Sequence, residues 1–499
     1  MVVHLAADPA PNADFYGSLL DRNVASTYNA FAAAASQGCR RVVIASSVNA
    51  VLGYEGVGRE GQAAGSAWDA PIWPTNIYGA TKCWGEALGR VFSTPDARGG
   101  LPADGALSAI CVRLGSPRWD PEADPPEGLP DEMGKPQWGL SGRDCGQLFE
   151  RCVDVEDVQF AIVAGVSRHA TSWMDVEHTS AVLGYEPRDV STEISPLPPP
   201  AAFATVAQPP TASRTRVLLT GASGKVGAIL RSEWGDIFDL RLADIRPLES
   251  GTRLNGGKLE ETQAPLQPHE EFVQMDTADL EQFTAACEGI DVVVHLAADP
   301  SPKADFCAVS FAVAQVNPAD LRGCSADGSL LDRNIKSTYN AFAASASQGC
   351  RRVVFASSVN AVLGYDGVGR EGQAAGTAWD VPTWPTNVYG ATKCWGEALG
   401  RVFSTPDTHG GLPADGRLSC ICVRIGSPGW DGEATHGSSN FGLSARDCGQ
   451  LFARAVSVRD VQFAIVAGVS RHAASWMDVE HTRAVLGYEP QDGTAMARL

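Results

Sequence analysis

Short apolar runs alternate with helix-length segments through the C-terminal half of the chain. Four such runs, 215–220, 239–244, 272–276 and 291–298, are predicted strands, and each leads into a predicted helix or turn. A fifth, Arg352–Ser358, is mostly apolar until its two terminal serines. A strand that is buried on both faces reads as a nearly continuous apolar run, and helices between such strands are typical of parallel sheets. The pattern therefore predicts an α/β protein.

The N-terminal half repeats a large part of this pattern. Ser18–Ser116 aligns without a gap to Ser329–Ser427, and the two segments differ at 14 of 99 positions. The copies are unequal, because the first begins at its equivalent of Val293 and lacks roughly the first third of the second. One long, incomplete repeat indicates a partial tandem duplication rather than a solenoid.

The repeat divides the chain into three predicted regions. A truncated copy spans 1–188, a complete domain spans 215–499, and the proline-rich stretch 189–214 between them reads as an extended linker. Copy two also has 22 residues where copy one has only Tyr16-Gly17. We place this insertion at 307–326, and the sequence leaves open whether it is a genuine loop or a retained intron.

Composition limits the partners that the chain is expected to bind. The net charge of −19 argues against a nucleic-acid or anionic membrane surface. The 13 cysteines lack paired zinc-type spacing, and several lie in apolar runs, as Cys420 and Cys422 do, which is typical of reduced thiols. The sequence has neither a signal-peptide pattern nor an apolar run of ~18 residues. We therefore expect a cytoplasmic protein with no metal, nucleic-acid or membrane partner.

A glycine-rich turn follows the first strand of copy two. Gly221–Gly227 lies between that strand and a predicted helix, the context in which such turns cradle a pyrophosphate at a helix N-terminus. The second strand ends at Asp244, 23 residues after Gly221, a spacing that suits a carboxylate binding ribose hydroxyls. That carboxylate would repel a 2′-phosphate, so NAD is favoured over NADP, although nearby Arg246 leaves NADP open.

Three residues further along predict redox chemistry. Ser358 ends the fifth strand, and 31 residues later Tyr389 precedes Lys393 by four positions, which places both on one helix face. A tyrosine with a pKa of ~10 is a weak base at neutral pH, and a nearby ammonium favours its phenolate. The phenolate can take a hydroxyl proton while hydride leaves the same carbon, and the serine hydroxyl can hold the substrate oxygen.

In this order the motifs resemble the extended short-chain dehydrogenases, a family that includes NAD-dependent sugar epimerases and dehydratases, over about 215–499. The resemblance implies a Rossmann doubly wound parallel sheet of order 3-2-1-4-5-6, with a small C-terminal substrate-binding region. It implies that Ser358, Tyr389 and Lys393 are catalytic and that Ser358 and Ser427 contact the substrate. The implied cofactor-binding residues are Gly221, Ser223, Gly224, Lys225, Val226, Gly227, Asp244, Asp276, Thr277, Leu296, Ala297, Ala298, Asn334, Tyr389 and Lys393.

Within that family the chain is most similar to uronate dehydrogenases, which oxidise a hexuronic acid at C1 with NAD. Tyr389–Glu397 and Trp476–His481 carry this likeness. Those enzymes hold the substrate carboxylate with an arginine that Pro428–Gly442 lacks. The resemblance implies an NAD-dependent oxidoreductase acting on a sugar or sugar acid. A nucleotide-sugar epimerase or dehydratase and a dinucleotide-binding regulatory protein without turnover remain alternatives.

Copy one retains the equivalents of the catalytic residues, Ser47, Tyr78 and Lys82, but has no glycine turn and no ribose-binding acid. We predict that it does not bind a dinucleotide and is a non-catalytic remnant. Members of the family often dimerise through two helices that correspond to Ser18–Gln37 and Tyr78–Phe92. The sequence therefore leaves open both a homodimer and an internal pseudo-dimer.

Overall fold

The computed structural model describes most of the chain, and the insertion predicted at 307–326 and most of the predicted linker lie outside the described residues. The described residues are 1–55, 69–96, 99–100, 104–118, 138–169, 172–191, 214–248, 253–255, 258–260, 265–306, 330–366, 381–413, 415–429, 441–472 and 475–494.

The chain forms two compact units. Unit 1 comprises Met1–Ala202, Val381–Thr386 and Thr405–Asp415, and unit 2 comprises Phe203–Asp380, Asn387–Ser404 and Gly416–Leu499. Two short segments of the predicted second domain thus group with unit 1. Sequence similarity did not indicate this grouping, because both segments belong to the repeated region.

Unit 1 is built on a four-stranded parallel sheet in the order β1-β2-β3-β6. Its strands are β1 (Val2–His4), β2 (Arg41–Ser47), β3 (Ser108–Leu114), β4 (Ser116–Arg118), β5 (Gly139–Ser141), β6 (Phe160–Gly165), β7 (Arg168–His169) and β8 (Val190–Ser191). Its helices are α1 (Ser26–Ser36), which a π-helical segment Phe15–Ala25 precedes, α2 (Ile77–Ser93), α3 (Gly142–Asp154) and α4 (Val176–Leu183). The edge strand β1 pairs only with β2, as expected for a copy that lacks the first three strands.

Unit 2 contains a seven-stranded parallel sheet. Its strands are β9 (Arg216–Thr220), β10 (Asp239–Asp244), β11 (Arg253–Asn255), β12 (Lys258–Glu260), β13 (Glu270–Gln274), β14 (Val292–His295), β15 (Arg352–Ser358), β16 (Ser419–Ile425), β17 (Ser427–Pro428), β18 (Gly442–Leu443), β19 (Phe463–Gly468), β20 (Arg471–His472) and β21 (Gly493–Thr494). Its helices are α5 (Lys225–Trp234), α6 (Leu280–Ala286), α7 (Ser337–Ser347), which a π-helical segment Leu331–Lys336 precedes, α8 (Val388–Ser404), α9 (Ala445–Ser457) and α10 (Val479–Leu486).

The sheet of unit 2 confirms the predicted Rossmann-type architecture. Its order, β13-β10-β9-β14-β15-β16-β19, is 3-2-1-4-5-6 with one further strand at the end. The chain reverses its direction of winding between β9 and β14, which are neighbours in the sheet. In open α/β sheets a ligand crevice forms at such a switch point, outside the carboxyl ends of the strands.

Three strands differ from the sequence prediction, and the smallest difference is that β9 begins at Arg216 instead of residue 215. Strand β13 begins at Glu270, two residues before the predicted start, because Glu270 forms a buried ion pair with Arg231 of α5 and is therefore tolerated inside the fold. Strand β14 ends at His295 instead of residue 298, since the following residues turn toward the ligand crevice. There the Ala297 N–H donates to Thr220 Oγ1 over 3.3 Å.

Helix α8 carries the predicted Tyr and Lys and is buried along almost its whole length. The Asn387 side chain caps it by accepting the Gly390 N–H over 2.8 Å. A Cβ at Gly396 would lie 2.1 Å from the Phe355 ring, so glycine there lets the helix approach β15 closely. This close packing fixes the catalytic face of α8 against the serine-bearing end of β15.

None of the described helices is both long and apolar enough to cross a lipid bilayer.

Candidate active site

A large cavity opens at the carboxyl ends of the strands in unit 2. Its volume is about 1220 Å³, above the roughly 300–1,000 Å³ that is typical of small-molecule pockets. One wall holds the glycine turn and Asp244, and the same cavity reaches Ser358, Tyr389 and Lys393. Motifs that lie far apart in the sequence therefore share one site.

The glycine turn fits a pyrophosphate. Gly221 has a φ of 71°, and a Cβ there would lie 2.9 Å from the Ala297 backbone nitrogen. Gly224 is the N-cap of α5 and offers no side-chain cap, so the first turn of the helix presents its N–H groups at the cavity wall. A helix N-terminus approached by bare backbone is the arrangement that binds phosphate groups of nucleotides.

Asp244 lies at the end of β10 and is held by two backbone donors. Its Oδ2 accepts the Ser223 N–H over 2.9 Å, and its Oδ1 accepts the Arg246 N–H over 3.0 Å. The Arg246 Nε is 3.8 Å from the same Oδ1, and the Arg246 side chain is half exposed. The carboxylate is thus fixed at the cavity wall, where it can accept hydroxyl hydrogens and repel a phosphate.

Tyr389, Lys393 and Ser358 converge at the other end of the cavity. The Lys393 Nζ lies 5.4 Å from the centroid of the Tyr389 ring and donates to the Ala356 carbonyl over 2.9 Å. The Ser358 Oγ accepts hydrogen bonds from both the backbone and the side-chain nitrogen of Asn360, each over 3.2 Å. Asn360, which the sequence analysis did not single out, therefore orients the serine.

Burial is the main cause of the shifted pKa values of Tyr389, Lys393 and His295. It raises the pKa of Tyr389 to about 12; hydrogen bonding to Ser358 opposes this rise, and the charge of Asp299 adds to it. Burial also lowers the pKa of Lys393 to about 7. Desolvation and then the charge of Lys393 lower the pKa of His295 to about 3, so this buried histidine is neutral at pH 7. Any further positive charge near Lys393 and Tyr389 would favour the phenolate.

Most of the predicted site residues line the cavity. The lining includes Gly221, Gly224, Lys225, Val226, Asp244, Asp276, Thr277, Leu296, Ala297, Ala298, Ser358, Tyr389, Lys393 and Ser427.

Three predicted cofactor contacts lie behind the wall instead. Ser223 is buried, and its N–H holds Asp244. Gly227 lies inside α5, where a Cβ would be 2.6 Å from the Ala222 carbonyl oxygen, so it permits close packing of the turn. Asn334 is buried and donates to Thr392 Oγ1 over 3.0 Å. These residues support the site from behind and are not part of its described surface.

The structure adds cavity residues that the sequence analysis missed. They include Asp299, Pro300, Asp332, Arg333, Lys336, Asn360 and Phe441. Asp299 follows the end of β14 by four residues, so the rule that ligands bind beyond the carboxyl ends of strands could have identified it. Phe441 could not have been found in this way, because a segment whose sequence differs between the two copies separates it from the preceding motif.

A buried ion pair contacts Ser357, the residue before Ser358. The Glu397 Oε1 accepts from the Ser357 hydroxyl over 2.6 Å and from Arg424 Nε over 2.8 Å, while Oε2 accepts from Arg424 Nη2 over 2.8 Å. Burial alone would lower the pKa of Arg424, but the charge of Glu397 and its hydrogen bonds to Arg424, together with smaller effects of Cys394 and Cys422, raise that pKa overall. This pair ties α8 to the ends of β15 and β16.

Unit 1 preserves the local geometry of the same three residues. The Lys82 Nζ donates to the Ala45 carbonyl over 2.9 Å and lies 5.3 Å from the Tyr78 ring centroid. Burial raises the pKa of Tyr78 and lowers that of Lys82 to about 8. Among the described residues, the sheet of unit 1 has no counterparts of β9, β10 and β13, after which Gly221, Asp244 and Asp276 line the cavity in unit 2.

Comparison with known proteins agrees with this geometry. The sequence model described as the NAD dependent epimerase/dehydratase family matches residues 1–114 and 217–405, more than half of the chain. An NAD-dependent glucose-6-phosphate dehydrogenase of Haloferax volcanii is 33% identical over 291 residues, covering 56% of this chain and 94% of that protein. A uronate dehydrogenase of Pseudomonas putida is 28% identical over 284 residues, covering 57% of this chain and 86% of that protein.

Among solved structures, the uronate dehydrogenase from Agrobacterium tumefaciens is 28% identical. The match covers 56% of this chain and 85% of that chain, with a TM-score of 0.41. The second matched segment, 217–405, contains both the glycine turn and the Tyr-Lys helix. This chain belongs to the NAD-dependent epimerase/dehydratase family.

Proposed function

We propose that unit 2 is an NAD-dependent dehydrogenase that oxidises a hydroxyl group of a sugar or sugar acid, as uronate dehydrogenases do. The observation that carries this proposal is the shared cavity. A phosphate-binding turn with a fixed carboxylate lies at one end of it, and a serine, a tyrosine and a lysine lie at the other. The relatives named above, which act on glucose-6-phosphate and uronate, support the substrate class.

The chain's own residues supply binding and proton transfer. Gly221, Gly224 and the first turn of α5 would hold the pyrophosphate, and Asp244 would accept the ribose hydroxyls. NAD, when bound, supplies the hydride acceptor. Ser358 holds the substrate hydroxyl, and the Tyr389 oxygen takes its proton as the C–H bond breaks. Lys393, as an ammonium, stabilises the phenolate form of Tyr389 that accepts this proton.

The direct experiment is to measure absorbance at 340 nm with purified protein, NAD and a panel of neutral hexoses, pentoses, galacturonate and glucuronate. We expect NADH to accumulate with at least one of them. If no sugar yields NADH, the dehydrogenase proposal is wrong. Conversion of a nucleotide sugar without net NADH would then favour an epimerase or dehydratase, and NAD binding with no turnover would favour a regulatory protein.

Asp244 is proposed to select NAD over NADP. In Asp244→Asn the side chain keeps one oxygen acceptor but loses its charge, so NADH should bind about tenfold more weakly, as expected for losing a charge-assisted hydrogen bond. NADPH should bind no more weakly than to the wild type, because its 2′-phosphate is no longer repelled and Arg246 is released. Titration of nicotinamide fluorescence measures both dissociation constants. Equal weakening of both would contradict the assignment.

Unit 1 is proposed to be non-catalytic. It retains Ser47, Tyr78 and Lys82, but the strands that would position a dinucleotide next to them are missing from its sheet. Turnover is therefore assigned to unit 2 alone, and Ser358, Tyr389 and Lys393 have matched controls in unit 1 at Ser47, Tyr78 and Lys82.

A further inference from the structure

Asp299 is an acidic residue in the same part of the cavity as Ser358 and Tyr389, and the proposed reaction gives it no role. It is half-buried and lines the cavity together with Ser358 and Tyr389. Its Oδ1 accepts the Ser301 N–H over 3.0 Å. The residue follows β14, which pairs with the serine-bearing strand β15.

The backbone of Asp299 is fixed to the catalytic helix through Asn334. The Asn334 Oδ1 accepts the Asp299 N–H over 2.8 Å, and its Nδ2 donates to the Asp299 carbonyl over 3.1 Å. The same Nδ2 donates to Thr392 Oγ1, whose hydroxyl donates to the Tyr389 carbonyl over 2.7 Å. A continuous chain of hydrogen bonds therefore connects the backbone of Asp299 to the backbone of Tyr389.

Unit 1 repeats this arrangement at the equivalent positions. The Asn23 Oδ1 accepts the Asp8 N–H over 2.8 Å, and its Nδ2 donates to the Asp8 carbonyl and to Thr81 Oγ1. Asp8 also adds to the rise in the pKa of Tyr78, as Asp299 does for Tyr389. The placement of an acid beside the tyrosine is thus a property of this local fold.

The described residues on the β15 and β16 side of the cavity offer little to hold an anion. The lining residues at 356–360 and 425–428 and Phe441 are uncharged, and Lys393 is the cation that α8 contributes. The π-helical segment adds Arg333 and Lys336 to the lining, and Lys336 is paired with Asp332. Beside Tyr389 itself, the negative charge of Asp299 adds to the rise in the pKa of the tyrosine.

We propose that Asp299 accepts a hydrogen bond from the sugar hydroxyl on the carbon next to the one that is oxidised, and that the site thereby selects uncharged sugars over sugar acids. This inference rests on the proposed dehydrogenase function. Vicinal hydroxyl oxygens lie close together, so a substrate held at Ser358 and Tyr389 brings its neighbouring hydroxyl to this part of the cavity. A carboxylate accepts that hydrogen well and disfavours a second carboxylate nearby.

The first test is a double-mutant cycle in which one change is made in the enzyme and the other in the substrate. Asp299→Ala and the wild type are each assayed with the best aldose of the panel and with its analogue that lacks the hydroxyl next to the oxidised carbon. Asp299→Ala should lower kcat/KM for the aldose by about 10- to 100-fold, as expected for a hydrogen bond to a charged group. It should change kcat/KM for the deoxy analogue by less than about threefold. Equal losses of kcat/KM with both sugars would contradict the proposed hydrogen bond.

The second test addresses charge. The wild type should have a higher kcat/KM for the neutral hexose than for the matching uronate, and Asp299→Asn should shrink that ratio by about tenfold. Asp299→Asn should also move the rise of kcat/KM with pH to lower pH, because a negative charge near Tyr389 is removed. A wild type that prefers the uronate, or a ratio that Asp299→Asn leaves unchanged, would overturn the selection of uncharged sugars.

Two controls separate this inference from other failures. Asp8→Asn changes the equivalent residue of unit 1 and should leave every kinetic constant unchanged. NADH binding, measured by fluorescence, should stay within about twofold of the wild type in Asp299→Asn, which shows that the variant is folded. If the wild type reduced NAD with none of the sugars, the proposed function would be wrong, and this inference would be wrong with it. NADH formation with a preference for uronates would reject only the inference.

Discussion

Replacing Tyr389 with phenylalanine should lower kcat by about 10²- to 10⁴-fold, the usual contribution of a positioned general acid–base group. The substitution removes one oxygen and keeps the ring that packs on α8. Because the hydroxyl is the only group lost, the fold and the cavity should be unchanged. Initial rates of NADH formation at saturating NAD, together with the thermal unfolding midpoint, measure the two effects separately.

The duplication supplies a matched control for this experiment. Tyr78 has the same neighbours in unit 1, a lysine 5.3 Å from its ring and a serine to which it is hydrogen bonded. Tyr78→Phe should leave kcat and KM unchanged, because unit 1 lacks the strands that would hold NAD. A comparable loss in Tyr78→Phe would show that unit 1 takes part in catalysis, and full activity in Tyr389→Phe would exclude it as the base.

Removing the buried acid Glu397 should strongly destabilise unit 2. In Glu397→Ala the Arg424 guanidinium, whose side chain is 2% exposed, loses both of its charged hydrogen bonds. Leaving one member of such a pair buried without its partner typically costs about 3–5 kcal/mol. Urea unfolding at 25 °C should show this as a shift of the midpoint by about 1 M or more.

The two units can unfold in separate transitions, so each transition must be assigned to one unit before the variants are compared with the wild type. NAD should stabilise only the unit that binds it. Glu397→Ala should lower the NAD-sensitive transition, and Glu86→Ala, which breaks the equivalent pair with Arg113 in unit 1, should lower the other. Glu397→Gln, which keeps the shape and one acceptor, provides a milder variant. If Glu397→Ala lowered the free energy of unfolding by less than about 1 kcal/mol, or if Glu86→Ala shifted the NAD-sensitive transition, this account would be wrong.

Motifs that act through neighbouring residues could be found in the sequence. The glycine turn, Asp244 at the end of its strand, and the Tyr389-Lys393 spacing depend on backbone conformations that nearby residues determine. For the same reason the bounds of β10 and β15 agree with those predicted, whereas β13 was placed two residues late. Its start depends on Glu270, a polar residue that only the distant partner Arg231 makes compatible with burial.

The sequence alone therefore determined the class of fold, the duplication, and the order of the nucleotide and catalytic motifs. Only the tertiary structure decided which of those residues line the cavity. It placed Asn334 behind the wall as a clamp between Asp299 and α8, and it paired Glu397 with Arg424 beneath the serines. These roles depend on contacts between residues 27 to 58 positions apart in the chain. Such contacts form only when the sheet and helices pack together, and no local pattern of apolar and polar residues encodes them.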